Sequence, residues 1–181
     1  MQPGDPKSYR PISLLCIPFK ILERLIYTRV EPIIDPLLPR EQAGFRHGKS
    51  TIDLVALLTQ DIEDCFEAKK KAGAVFLDLT VAYDTVWHRG LTCKLLRLLP
   101  DRHMVRMIME LVRNRSFTLT TGNYTRRSRL RRLKNGTPQG SVPAPLVFNI
   151  CTHDLQVIVS AKYAYADNFA ILHKASKWET L

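Results

Sequence analysis

Two aspartates stand where apolar stretches of this chain end, and they are the first residues whose type and position could do chemistry. Asp78 closes the apolar run 74–77, and Asp167 lies in the segment 165–168, Tyr-Ala-Asp-Asn. A carboxylate is costly to bury unless it is paired or binds a metal. On neighbouring strand ends, the two would supply the oxygen ligands that Mg²⁺ takes. Alternatively, Asp78 caps a helix or turn and Asp167 serves only the turn chemistry that Asp and Asn favour.

A loop rich in glycine and proline, residues 135–141, is the next candidate. Its sequence, Asn-Gly-Thr-Pro-Gln-Gly-Ser, is typical of a connection that leads into a helix. The functional alternative is that its backbone N–H groups, together with Gln139, approach a flat or anionic ligand at the helix N-terminus. This motif alone does not decide between the two interpretations.

The positive charge of the chain is concentrated in one window. The 181 residues carry 27 Lys and Arg against 17 Asp and Glu, a net charge of +10. Residues 101–134 hold ten Lys and Arg against two Asp and Glu, which gives a net +8 in this window alone. Such a concentration favours contact with nucleic acid over a merely solvated face. The densest part contains Arg126, Arg127, Arg129, Arg131, Arg132 and Lys134.

The periodicity of the apolar residues predicts a mixed α+β domain that positions these segments. A first helix is predicted over 19–34, and a second follows the caps Ser50 and Thr51 and runs out in the lysines 69–71. The apolar run 74–77 predicts a strand buried on both faces. The remaining predicted elements are helices at about 90–99, 102–114 and 141–159, a hairpin of 117–120 with 130–133, and two short strands within 162–172.

Composition excludes several classes of protein. Apolar residues make up 45% of the chain, which excludes a wholly disordered one. No apolar run approaches the roughly 20 residues of a membrane span, and residues 1–10 lack the apolar centre of a secretory signal. We therefore expect an intracellular protein, in nucleus or cytoplasm, with no membrane partner. The cysteines show no zinc or redox spacing and are expected to be reduced, buried thiols: Cys16, Cys65, Cys93 and Cys151.

Five segments in a fixed order resemble the reverse transcriptase domain of non-LTR retrotransposons, the LINE-type and jockey-like elements. The resemblance covers about residues 7–175 and implies a right-hand polymerase, with fingers at about 7–73 and a palm at 74–175 that carries inserted helices and a hairpin. A thumb is expected to be absent, so residues 1–181 are interpreted as a partial domain. The matching segments are 9–15, 44–51, 76–88, 136–149 and 165–168, the last in place of the family's aromatic-x-Asp-Asp tetrapeptide.

The resemblance also implies an activity and a set of site residues. The activity is RNA-directed DNA polymerisation from dNTPs, with an RNA template, a DNA primer and two Mg²⁺ ions, for which Mn²⁺ can substitute. Asp78 and Asp167 match the catalytic carboxylates that hold the metal ions, and Tyr83 matches the aromatic residue beneath the nucleotide sugar. Gln139 and Gly140 match the segment that lines the incoming nucleotide. The fingers positions near the triphosphate or template are matched by Arg10, Arg46 and Lys49.

Two departures from the family pattern lead us to expect impaired catalysis. Asn168 stands where the family has a second aspartate, so the site loses a negative charge on which metal affinity depends. The chain also begins at the first fingers motif and stops soon after the last palm motif, so processive synthesis is not expected. The alternative function is a non-catalytic nucleic-acid-binding remnant that keeps the basic window 101–134. A protein–protein module built on the helix at 53–70 is a third candidate, although its apolar face is explained more simply as core.

Overall fold

The structure is a computed structural model that describes residues 12–121, 126–155 and 160–177, so the predicted contact Arg10 lies outside the described residues. The helices are α1 (Ile17–Ile34), α2 (Thr51–Glu67), α3 (His88–Leu98), α4 (Arg102–Val112) and α5 (Ala144–Thr152). The strands are β1 (Lys71–Asp78), β2 (Ser116–Phe117), β3 (Thr120–Thr121), β4 (Arg126–Arg127), β5 (Arg131–Arg132), β6 (Ala161–Tyr165) and β7 (Asn168–Ala175).

The largest sheet of the described residues has three antiparallel strands in the order β1-β7-β6. The strands β6 and β7 form a tight hairpin, in which Tyr165 stands opposite Asn168. On the other side of β7, β1 runs from Lys71 opposite Ala175 to Asp78 opposite Asn168. This register brings the C-terminal end of β1 to the turn of the β6–β7 hairpin.

The main hydrophobic core is helical. Side chains of α1, α3, α4 and α5 pack together, with Leu91, Leu95 and Ile150 almost completely buried. A smaller core lies between α2 and the three-stranded sheet, around Leu54 and Leu172. Helices that pack together beside an antiparallel sheet confirm the predicted α+β class.

Two helices begin at residues whose side chains cap them. Ser50 and Asp53 form a capping box at α2: the Ser50 hydroxyl oxygen accepts from the Asp53 N–H, and the Asp53 carboxylate accepts from the Ser50 N–H. Asp101 caps α4 by accepting from the N–H groups of His103 and Met104. These local contacts explain why the helix starts could be predicted.

Two predicted helices have wrong boundaries. The second helix ends at Glu67, because Lys69 adopts a left-handed φ of 55° and closes the helix, and β1 already begins at Lys71. The last helix runs over Ala144–Thr152, with Pro143 as its N-cap, instead of over 141–159. In both cases a local backbone conformation ends or delays a helix that the apolar periodicity would continue.

The prediction that the apolar strand is buried on both faces is also wrong. Val75, Phe76 and Leu77 are 55%, 70% and 48% exposed. The reason is topological, because β1 is an edge strand whose described sheet partner is β7. An uninterrupted apolar run therefore does not distinguish a central strand from an edge strand.

The predicted hairpin of the basic window is confirmed, but two separate short ladders form it. In one ladder Ser116 stands opposite Arg132, and in the other Thr120 stands opposite Arg127. Each of the four strands has two residues. The turn predicted at 122–123 lies outside the described residues.

No helix within 12–121, 126–155 and 160–177 has both the length and the apolar character needed to cross a bilayer.

The prediction of buried thiols holds in part. Cys65 is buried and Cys151 is partly buried, whereas Cys16 and Cys93 are exposed.

Candidate functional site

The two predicted catalytic aspartates come together at one end of the sheet. Asp78 is the last residue of β1, and its partner in register is Asn168, the residue after Asp167. The N–H of Leu79 donates to the carbonyl oxygen of Asp167 at 2.9 Å, which extends the pairing of the two strands by one bond. Asp78 is exposed, and none of the described residues donates a hydrogen bond to its carboxylate. The interpretation of Asp78 as a cap therefore finds no contact in the structure.

Asp167 occupies a tight turn between β6 and β7. The preceding residue, Ala166, is buried and adopts a left-handed φ of 57°. On the other side, the Asn168 side-chain amide is 3.4 Å from the Asp167 carboxylate. The turn thus presents a carboxylate and a neutral amide at the end of β1.

Tyr83 lies close enough to Asp167 to be affected by its charge. Its ring packs against Phe148, with 5.6 Å between the ring centroids, and meets Phe45 edge-on at 6.3 Å. Burial, and to a lesser extent the negative charge of Asp167, raises the pKa of Tyr83 to about 12. The phenol is therefore neutral at physiological pH and close enough to Asp167 to feel its charge.

Main-chain hydrogen bonds fix the Pro-Gln-Gly loop to the segment that follows β1. The N–H of Thr137 donates to the carbonyl oxygen of Tyr83 at 2.8 Å, and that of Gly136 donates to Val86 at 2.8 Å. A Cβ at Gly136 would lie 2.8 Å from the carbonyl oxygen of Asp84, and Gly136 has a φ of 85°, so this approach requires glycine. The loop and the Tyr83 segment therefore hold each other in place.

A cavity of about 270 Å³ lies between these two segments. Tyr83, Gln139 and Gly140 line it, together with residues at the start of α5. The N–H of Ser13 donates to the carbonyl oxygen of Gln139 at 2.8 Å, which supports the loop from outside the cavity. Three predicted nucleotide-binding residues thus meet on one cavity, which neither Asp78 nor Asp167 lines. Asp78 and Asn168 line a different cavity, of about 300 Å³.

Glu23 also holds this loop, and the sequence reasoning did not select it. It is fully buried on α1, where its carboxylate accepts from the Ser141 hydroxyl group and from the Val142 N–H, the latter at 3.1 Å. The sequence could have indicated this role, because helical spacing places Glu23 between Phe19 and Ile26 on the apolar side of α1. A charge at such a position needs a buried partner.

Gln42 is a second polar residue that the sequence reasoning missed. Its side chain is buried and bonds to the main chain of both Gly44 and Ala166. Nothing in the sequence marks this role, because a polar residue in a surface loop is ordinary.

Arg46 and Lys49 use their side chains to hold the loop that contains them. The Arg46 guanidinium donates all five of its N–H groups, to the Asp35 carboxylate and to three main-chain carbonyl oxygens. This hydrogen bonding lowers the pKa of Asp35. The Lys49 ammonium donates to the carbonyl oxygen of Arg40 at 2.9 Å. Neither predicted residue lines the cavity beside Tyr83.

The side chains at the end of the sheet suit a hard divalent cation. Asp78 and Asp167 offer carboxylate oxygens, and Asn168 offers a carbonyl oxygen. Within the part of the chain that the structure describes, no three His, Cys, Asp or Glu side chains form a group that could hold a metal by themselves. Mg²⁺ is commonly held by one or two carboxylates together with substrate phosphates, so this set fits if the substrate completes it.

Four of the predicted nucleic-acid contacts lie on the short hairpin ladders, Arg129 lies between them and Lys134 follows them, and all six are exposed. Arg132 and Lys134 line a cavity of about 720 Å³ together with Arg89 and Arg113, which the sequence reasoning did not select. The described lining contains no Asp or Glu, so the field in this cavity is positive and attracts anions. The other predicted contacts lie outside this cavity: Arg126, Arg127, Arg129 and Arg131.

The chain matches known proteins along nearly its whole length. A family model described as reverse transcriptase (RNA-dependent DNA polymerase) matches residues 2–179. The chain is 37% identical over 183 residues to an RNA-directed DNA polymerase from transposon BS of Drosophila melanogaster. It is 33% identical over 189 residues to that of the mobile element jockey from Drosophila funebris. These matches cover 95% and 97% of this chain but 20% of each relative, so the chain spans about a fifth of their length.

Two solved structures share the fold. Telomerase from Candida albicans, in complex with a fragment of telomeric RNA, aligns with a TM-score of 0.56 at 14% identity, over 86% of this chain and 30% of that one. Apo telomerase from Candida tropicalis aligns with a TM-score of 0.56 at 12% identity, over 90% of this chain and 34% of that one. At such identities the likeness concerns the fold alone. With the family match over residues 2–179, the chain therefore belongs to the reverse transcriptase (RNA-dependent DNA polymerase) family, alongside the polymerases of non-LTR retrotransposons.

Proposed function

We propose that this chain forms the nucleotidyl-transfer site of an RNA-directed DNA polymerase from a non-LTR retroelement. One observation carries the proposal: Asp78 and Asp167 lie at adjoining strand ends, and the charge of Asp167 acts on Tyr83, which lines a cavity with the Pro-Gln-Gly loop. Carboxylates close to one another are what an enzyme needs to bind a triphosphate through divalent cations. The family match supports the reaction class.

The residues of the cavity have separate proposed roles. The Tyr83 ring, fixed by Phe45 and Phe148, lies beneath the nucleotide sugar and leaves no space for a 2′-hydroxyl group. Gln139 and Gly140 line the side of the incoming dNTP that faces the loop. Because main-chain bonds connect the loop to the Tyr83 segment, the two walls of the cavity keep a constant separation.

Asp78 and Asp167 are the proposed ligands of two Mg²⁺ ions, for which Mn²⁺ can substitute. When bound, such ions stabilise the attacking 3′-oxygen of the primer and the leaving oxygen of the triphosphate. Asn168 contributes a neutral oxygen where a third carboxylate would contribute a charge. This chain therefore holds cations weakly and relies on substrate phosphates more than a site with three carboxylates would.

The partners proposed for the chain are an RNA template and a DNA primer. Four cations of the larger cavity form no salt bridge with a described residue and suit a sugar–phosphate backbone: Arg89, Arg113, Arg132 and Lys134. The outer hairpin cations and Arg10 are proposed as further contacts, whereas Arg46 and Lys49 contribute by holding their loop. We assign residues of about 7–73 to the fingers and 74–175 to the palm, and we propose that the protein acts inside the cell, in nucleus or cytoplasm.

Addition of a single nucleotide to a DNA primer on an RNA template tests the proposal. We expect the 181-residue chain to add one dNTP in Mg²⁺ or Mn²⁺ and Asp78→Asn to abolish the addition. Glu63→Gln, which removes an exposed carboxylate on α2, is the matched control and should leave the rate unchanged. Equal extension by Asp78→Asn and the unchanged chain would overturn the proposal.

A non-catalytic nucleic-acid-binding role is the second candidate, and Asn168 is the observation that favours it. Restoring the charge with Asn168→Asp separates the two functions. A rise in the rate of extension supports the polymerase. Salt-sensitive binding of the template–primer duplex with no extension by either protein supports the binding remnant.

A further inference from the structure

Residues 41–44 lie against the β6–β7 hairpin. Gln42 forms a parallel bridge with Ala164, the residue near the end of β6. The N–H of Ala43 donates to the carbonyl oxygen of Ala164 at 2.8 Å, and the N–H of Ala164 donates to that of Glu41 at 2.9 Å. Residues 41–44 thereby extend the sheet on its β6 side, up to the turn that carries Asp167.

The Gln42 side chain continues this pairing where the main chain ends. Its Oε1 accepts from the N–H of Gly44 at 2.8 Å and from the N–H of Ala166 at 3.0 Å. Its Nε2 donates to the carbonyl oxygen of Ala166 at 3.2 Å. One amide group therefore satisfies both main-chain polar groups of Ala166, as a neighbouring strand would.

Ala166 needs this support because of its conformation and burial. It is 6% exposed, and its φ of 57° is one that alanine adopts at a cost of about 1 kcal/mol or more. Without Gln42, its N–H and carbonyl groups would be buried without a partner, which costs about 1–3 kcal/mol for each. The residue after Ala166 is Asp167, so the direction of this carboxylate depends on the same turn.

The segment that holds the turn is itself fixed from two sides. Gly44 approaches so closely that a Cβ would lie 2.1 Å from the main-chain nitrogen of Ala166. On the other side, the side-chain amide of Asn149, on α5, donates to the carbonyl oxygen of Gly44 at 3.0 Å. Gln42, 3% exposed, thus lies in a rigid setting and cannot change its partners without moving the loop.

From these contacts we infer that Gln42 is a positioning residue for the reaction: it holds the Ala166–Asp167 turn so that the Asp167 carboxylate stays beside Asp78. The inference rests on the proposed function, since it assigns a purpose to the geometry of the aspartate pair. Gln42 touches neither the nucleotide cavity nor the basic cavity. Its loss should therefore weaken divalent-cation binding and leave nucleic-acid affinity unchanged.

The test compares Gln42→Leu with Gln60→Leu, a change of the same kind at an exposed residue of α2. Two quantities are measured on the 181-residue chain: Mn²⁺ affinity, by electron paramagnetic resonance, and hydrogen exchange of the Ala166 and Asp167 amides. Gln42→Leu should weaken Mn²⁺ binding about 10-fold, as loss of a residue that orients a metal ligand does. It should also accelerate exchange at Ala166, and Gln60→Leu should change neither quantity.

A second variant keeps the inference testable if Gln42→Leu does not fold. Gln42→Glu retains the acceptor for the Ala166 and Gly44 N–H groups but cannot donate to the Ala166 carbonyl oxygen. Hydrogen exchange at the Ala166 amide should therefore stay slow. Mn²⁺ affinity should fall by less than it does in Gln42→Leu. Unchanged Mn²⁺ affinity in a folded Gln42→Leu protein would overturn the inference. If Asp78→Asn also leaves Mn²⁺ affinity unchanged, the proposed function falls with it; if Asp78→Asn weakens binding, only the role of Gln42 falls.

Discussion

The end of the sheet that carries Asp78 and Asp167 and the basic hairpin at 116–132 are built in opposite ways. At the sheet end, residues 41–43 and Leu79 form main-chain hydrogen bonds with the β6–β7 hairpin, and residues 136–137 form them with the segment after β1. The side chains that support these segments, Glu23 and Gln42, are buried. The hairpin consists of strands of two residues each, and its arginines are exposed. Chemistry between reacting atoms demands fixed geometry, whereas attraction of a polyanion demands only charge density.

Mutations in the two regions should therefore have different effects. A change at the sheet end should act through packing and backbone position, so it should alter stability or activity. A change on the hairpin should alter affinity for nucleic acid and its salt dependence, with little effect on the fold. Variants in each region, with matched controls, test this difference.

The largest expected effect is that of Gly44→Ala. The added methyl group would collide with the main chain of Ala166, so we expect a loss of about 3 kcal/mol in the free energy of unfolding. Gly48→Ala is the matched control in the same loop, because Gly48 has a φ of 70° but no atom within 4 Å of the added methyl group. Its cost should be about 1 kcal/mol, from conformation alone. Equal losses in urea unfolding would show that the approach to Ala166 is not tight.

Arg46→Met should have the next largest effect. It leaves the Asp35 carboxylate and three carbonyl oxygens without their donor, so a loss of about 2 kcal/mol in the free energy of unfolding is expected. The same substitution at Arg131, an exposed hairpin residue, should change stability little. A stable Arg46→Met protein with weaker dNTP binding would instead favour direct contact with the nucleotide.

The hairpin side of the comparison is tested by Arg132→Ala combined with Lys134→Ala. Both residues line the positive cavity, so the slope of log affinity for a template–primer duplex against log salt should fall by about 2. Arg24→Ala with Arg29→Ala removes the same charge from the exposed side of α1 and is the control. If both double variants lower the slope equally, the net charge of the chain, and not this cavity, attracts the duplex.

The smallest expected effect concerns the pH dependence of stability at Tyr83. Because the folded state raises its pKa from 10.0 to about 12, the folded state binds this proton more tightly than the unfolded state does. The resulting stabilisation is complete below pH 10.0 and is lost as the pH rises towards about 12. Tyr83→Phe removes the group, so its free energy of unfolding should fall less steeply with alkaline pH than that of the unchanged chain. Parallel curves would show that burial and Asp167 do not affect this phenol.

Local rules of sequence predicted the parts of the site that depend on neighbours in the chain. An apolar run that ends in Asp78 and a turn that carries Asp167 could be found from periodicity and turn chemistry, and the resemblance to a family placed Tyr83 and Gln139 beside them. These residues lie at the ends of strands and loops, and pairing of the strands is enough to bring such ends together.

The residues that hold the site in position could not be found in this way. Ala166, the residue that Gln42 holds in the turn, lies 124 residues away along the chain, and the partners of Glu23 lie 118 and 119 residues away. The resemblance implies that Arg46 contacts the triphosphate or template, but in the structure the Asp35 carboxylate and local carbonyl oxygens use its five donors. Whether an arginine binds a phosphate or the protein's own acceptors depends on tertiary packing. Apolar periodicity in the sequence carries no information on that packing.

Mn²⁺ titration of the 181-residue chain by electron paramagnetic resonance tests whether Asp78 and Asp167 together form a divalent-cation site. We expect Asp78→Asn and Asp167→Asn each to weaken Mn²⁺ binding, while Glu63→Gln leaves it unchanged and all three proteins keep the unfolding midpoint of the parent chain. The same Mn²⁺ affinity in all three variants would show that the two aspartates do not form such a site.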